Sequence, residues 1–126
     1  MTSDERCNLA LAFARTLFVN GQATDQTVAG TESLARALGL RANVSARWGE
    51  LRLQSDGDDA GPSCQVAADP AGVDMDRVAS AMRAIDDIKC GRLAPDAAKK
   101  LIAEISRAPP ARKAMSELAA PAIFPR

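Results

Sequence analysis

The sequence predicts an α+β fold: two N-terminal helices, a small antiparallel sheet of about three strands, and two C-terminal helices, all the helices packing on one face of the sheet. Apolar residues recur at helical spacing before residue 40 and again after residue 74. Between these regions the spacing switches to a period of two, and glycine or proline marks most of the joins. A chain of 126 residues, 47% of them hydrophobic, is the size of one domain and can bury a core. With aromatics at only 3%, that core has to be built mainly from aliphatic side chains and alanine.

In the first helix Cys7, Ala10, Leu11, Ala14, Leu17 and Phe18 share a side. Ser3 is placed to cap it, Asp4 and Glu5 complement the positive end of its dipole, and Asn20 with Gly21 stops it. Thr24 is suited to cap a second helix carrying Val28, Thr31, Leu34, Ala35 and Leu38, which Gly39 and Leu40 end in a left-handed cap.

Val44, Ala46 and Trp48 then alternate with polar neighbours, Gly49 interrupts, and Leu51 and Leu53 alternate again, predicting a hairpin that turns near Trp48, Gly49 and Glu50. After the polar stretch SDGDDAGPS, Cys64, Val66 and Ala68 supply a third strand, needed because a lone hairpin is marginal. Asp74 is a good N-cap for a third helix striped by Met75, Val78, Ala79, Met82 and Ile85, with Gly91 as its terminator. Pro95 and Asp96 open the fourth helix, lined by Ala98, Leu101, Ile102 and Ile105, and Pro109 with Pro110 ends it. Residues 1–110 thus form the domain. Residues 111–126, where Glu117, Pro121 and Pro125 interrupt Met115, Leu118, Ile123 and Phe124, read as a flexible tail or peripheral helix.

Composition removes several functions. Sixteen basic residues balance sixteen acidic ones, so the electrostatic footprint of a generic nucleic-acid binder is missing. The N-terminus puts Asp4, Glu5 and Arg6 before a broken apolar run, unlike an export signal, and no window approaches the roughly 18 apolar residues of a membrane span. Cys7, Cys64 and Cys90 are odd in number and widely spaced, with no histidine to complete a zinc site, so they read as reduced, partly buried cytoplasmic thiols. No metal and no cofactor is expected.

Catalytic readings fail on their own chemistry. An EF-hand starting at Asp56 and including Asp58 would need an oxygen ligand at its fifth position and glutamate at its twelfth, where Ala60 and Ala67 stand. Asp86 and Asp87 point about 100° apart on a helix and do not converge with Asp76 as an acid–base pair. Without histidine a serine or cysteine nucleophile would need a lysine base, and Lys89, Lys99 and Lys100 fall on predicted exposed faces. An enzyme is therefore not expected. Two places suit a ligand: Trp48, whose ring beside a turn can floor a pocket, and the helix start at residues 21–27, including Gln22 and Thr24, whose backbone amides can hold a carboxylate.

NGQATDQTVAGTESLARALGL at 20–40, RWGELRLQ in the strand pair and GVDMDRVASAMRAIDDIKCGRLAPDAAKKLIAEISRAPP at 72–110 together resemble the soluble N-terminal domain of the threonine/serine exporter family. The resemblance covers residues 5–110, and its most specific part is the Gly-Val-Asp entry, helix, Gly-x-Leu-x-Pro step, helix and Arg-Ala-Pro-Pro exit. It departs at residues 21–24, Gly-Gln-Ala-Thr, where an acidic residue is common in the family, and in ending 16 residues after Pro110, where the family continues into membrane helices.

The resemblance implies a non-catalytic cytoplasmic domain of a bacterial small-metabolite exporter, at the inner face of the inner membrane, serving gating, assembly or substrate sensing. The partners it implies are a membrane domain or subunit, a small hydrophilic metabolite and other copies of the chain. Arg107, Arg112 and Lys113 before a membrane helix would fit the positive-inside rule. The alternative is a stand-alone ligand-binding or self-assembling module.

Overall fold

The computed structural model describes residues 2–47, 49–55, 63–69 and 72–107. Trp48, the acidic loop beginning at Asp56 and the tail at 111–126 lie outside the described residues. The elements are α1 (Ser3–Val19), α2 (Thr24–Ala37), β1 (Ala42–Arg47), β2 (Glu50–Ser55), β3 (Ser63–Ala67), α3 (Met75–Lys89) and α4 (Pro95–Arg107). This is the expected α+β order, with one antiparallel sheet in the order β1-β2-β3.

Helix α1 is the hub of the core. Leu9, Phe13 and Thr16 are buried along with Cys7, Ala10, Leu11, Ala14 and Leu17, so it is covered on more sides than an amphipathic surface helix would be. It packs against α2, α3, α4, β2 and β3. Its cap is Thr2 rather than Ser3: the Thr2 hydroxyl accepts the Glu5 N–H at 3.1 Å. The two residues are both competent caps, and the one that lies just outside the helical backbone takes the role.

Helix α2 begins without a side-chain cap. Ala23 holds the cap position and Thr24 is the first helical residue, so its hydroxyl does not take the expected capping role. At the other end the Leu40 N–H reaches the Ala35 carbonyl at 2.8 Å, a closure that uses the positive φ of Gly39.

Register sorts the sheet into two faces. Val44 lies opposite Leu53, which lies opposite Cys64, and Ala46, Leu51 and Val66 form the next row. These residues face the helices, while Asn43, Ser45, Arg52, Gln54 and Gln65 take the other face. Both outer strands are tied to helices at their free edges. The Val44 N–H donates to the Glu32 carboxylate of α2 at 2.9 Å, and the Arg15 guanidinium of α1 donates to the Ala67 carbonyl at 3.2 Å.

Two expectations need correction. Met75 and Ala79 are exposed, Met75 at 52%; the buried side of α3 is Val78, Ala81, Ala84, Ile85 and Ile88. Asp74 caps α3 as expected by accepting the Arg77 N–H, and the helix packs against α1, α2 and α4. Second, Cys7 and Cys64 form a disulfide joining α1 to β3, with Cα atoms 6.6 Å apart, and are not reduced thiols. Fifty-seven residues separate them in sequence, and folding β3 onto α1 brings them together. Cys90 is the free thiol and is exposed.

Candidate functional site: a groove between the first and last helices

The Thr16 and Ser106 hydroxyls lie 2.9 Å apart, near the C-terminal ends of α1 and α4. The two helices therefore run side by side in the same direction, and their flanks form the walls of a groove of about 370 Å³. Glu5, Asn8, Leu9 and Ala12 line one wall; Lys99, Ile102, Ala103 and Ser106 line the other. Each set has the spacing i, i+3, i+4, i+7, the stripe that one face of a helix presents.

The floor is apolar. Leu9 and Ile102 are each 3% exposed, with Ala12 and Ala103 beside them. Polar groups rise from the rim. The Glu5 carboxylate accepts the Thr2 hydroxyl at 3.3 Å, which steadies it in the first turn of α1. The Asn8 amide and the Lys99 ammonium have no side-chain partner among the described residues. Thr16 is buried and also donates to the Ala12 carbonyl at 3.0 Å, so the far end of the groove is held by a fixed hydroxyl pair.

Two other concavities are less enclosed. One lies over Ser80, Arg83, Asp87, Leu101 and Ile105, between α3 and α4. The other is lined by α4 alone, through Asp96, Lys99, Lys100, Glu104 and Arg107 among others, so no second element walls it. The clearest electrostatic perturbation is a local surface pair: hydrogen bonding to Asp87 and the charge of that carboxylate raise the Arg92 pKa, which leaves an already cationic group cationic.

The groove is not where the sequence pointed. Gln22 and Thr24 sit together in the α1–α2 connection, where the Gln22 side chain accepts the Ala23 N–H at 3.1 Å and Thr24 is exposed. They do not line the groove, and Trp48 is outside the described residues. Sequence reasoning placed Lys99 on an exposed face, correctly, but gave it no role. The signal it missed is that residues 5–12 and 99–106 each carry two apolar and two polar residues at the spacing i, i+3, i+4, i+7.

Among the described residues no cluster of three or more cysteines or carboxylates could hold a metal ion. No described helix is long and apolar enough to cross a membrane. A family model described as a threonine/serine exporter matches residues 8–124. No curated protein and no solved structure is significantly similar to the chain.

Proposed function

Because the chain belongs to the threonine/serine exporter family, we propose that it is a non-catalytic domain of a small-metabolite export system that gates, assembles or senses substrate for a membrane domain. The match over residues 8–124 carries this reading, since it runs from within α1 through the end of α4. The described helices do not span a bilayer, so their contribution to export is to act on a path built by other residues. The α1–α4 groove suits recognition rather than chemistry: carboxylate, amide, ammonium and hydroxyl rise around an apolar floor.

Its place is the cytoplasmic face of a bacterial inner membrane, supported by Arg107 at the end of α4 and by Arg112 and Lys113, which follow it in sequence. The Cys7–Cys64 disulfide favours a second placement, on the oxidising side, because such bonds rarely persist among reduced thiols. Thiol labelling in intact cells, with and without a membrane-impermeant reductant, separates the two. Crosslinking in native membranes tests the function itself. Capture of a membrane exporter component supports it, and repeated recovery of the chain without one favours a stand-alone module.

A further inference from the structure

We propose that residues 111–120, which lie outside the described residues, fold back onto the surface around Val73 and Met75 and cover it. Among the described residues these two are the exposed large hydrophobics, at 68% and 52%. They are also held in place. The Asp74 N–H between them donates to the Asn20 carbonyl at 2.9 Å, and Gly21, at φ 104°, lies so close that a Cβ there would come within 3.2 Å of the Val73 Cγ2. Asp74 in turn accepts the Arg77 N–H, so the backbone on both sides of the pair is fixed. Ala79, a turn further along α3, is exposed as well and extends the patch. A single exposed apolar side chain would need no explanation, but adjacent ones presented on pinned backbone mark a surface that something covers.

The occupant follows from where α4 ends. The Ser106 hydroxyl lies 2.9 Å from that of Thr16, the Thr16 carbonyl accepts the Asn20 side-chain amide at 2.7 Å, and the Asn20 carbonyl accepts the Asp74 N–H. One path of hydrogen bonds thus runs from the last turn of α4 to the Val73–Met75 pair. Thr16 and Asn20 are four residues apart at the end of α1, a rise of about 6 Å. The chain therefore leaves α4 beside the patch, and residues 108–111 can span up to about 14 Å, with Pro109 and Pro110 keeping α4 from simply continuing. Ala111, Ala114, Met115 and Leu118 then fall at i, i+3, i+4 and i+7, one apolar stripe, and Arg112 and Lys113 flank it. The charges are complementary. Asp25 and Asp76 are exposed in the first turns of α2 and α3 and make no ion pair among the described residues, and the last turn of α1 has no basic residue to meet its carbonyl end. The cation on this surface, Arg77, is half-buried. The contact is internal to the chain and stands or falls apart from the exporter reading.

The test is methyl NOE spectroscopy, with amide chemical shifts, on the isotopically labelled 126-residue chain at low concentration. The Met115 and Leu118 methyls should give NOEs to the Val73 and Met75 methyls. Met115→Asp should abolish them and move the amides of residues 20–25 and 72–77 while those of the sheet stay where they are. Read from the Met75 methyl shift, the docked-to-free ratio should fall more than tenfold. Lys113→Glu keeps the apolar stripe and should lower that ratio about two- to fivefold, a difference that fades in high salt. NOEs from Met115 and Leu118 to Leu9 and Ile102 would seat the segment in the α1–α4 groove and overturn the proposal. Random-coil shifts throughout residues 111–120 would also overturn it, as would contacts that strengthen with protein concentration, which would assign the patch to a second copy of the chain.

Discussion

Thr16 and Ser106, 90 residues apart in sequence, share a hydroxyl–hydroxyl hydrogen bond of 2.9 Å that aligns the first helix with the last. Ser106→Ala removes it but leaves Thr16 bonded to the Ala12 carbonyl, so no buried donor is stranded. The expected loss is about 0.5–1 kcal/mol in urea unfolding, with faster hydrogen exchange concentrated in α4. Exchange that quickens evenly across the domain would contradict a local role for the bond.

Closing a loop between Cys7 and Cys64 across 57 residues restricts the unfolded chain by about 4 kcal/mol on the chain-entropy model. Cys64→Ser, or a reductant, should lower Tm by roughly 10–20 °C and abolish the mobility difference between reduced and non-reduced gels. Cys90→Ser should leave both measurements where they are, since Cys90 is the free thiol.

Thr27 and Thr31 are fully buried on α2, and neither hydroxyl has a hydrogen-bond partner among the described residues. Thr31→Val keeps the side-chain shape and removes the unsatisfied group. It should stabilise the domain by about 1 kcal/mol in chemical denaturation, and a loss of stability would mean that the hydroxyl has an unrecognised partner.

Leu53 is fully buried at the centre of the sheet's inner face, between Val44 and Cys64. Leu53→Ala should cost about 2–5 kcal/mol, whereas Met75→Ala should fall within about 0.5 kcal/mol of wild type because Met75 is half exposed. The pair distinguishes the observed packing of α3 from a stripe in which Met75 joins the core.

The elements were legible because each writes its own period into the chain. Val44, Leu51, Leu53 and Val66 alternate, and Leu34, Ala35 and Leu38 follow a helical turn, so type and order come from local spacing alone. Rotation is harder. On α3 both Met75 and Ala81 satisfy an apolar face, and only the closeness of α1 and α4 selects the alanines. The disulfide was hidden for a related reason: three cysteines permit several pairings, and strand order decides between them. The groove was the least legible feature, since Glu5, Asn8, Lys99 and Ser106 are unremarkable polar residues until two distant helices lie together.

Helix α1 leaves the ribosome first, yet the partner that walls its groove is α4, the last of the described elements to be made. Until residue 107 has been synthesised, Leu9 and its neighbours have no α4 to pack against, and the nascent chain has to carry that apolar flank uncovered. The order of synthesis therefore makes completion of the domain a late event: the groove exists only once the segment leading out of α4 is about to emerge. Translation itself would then time the appearance of a finished recognition surface against the arrival of whatever follows it.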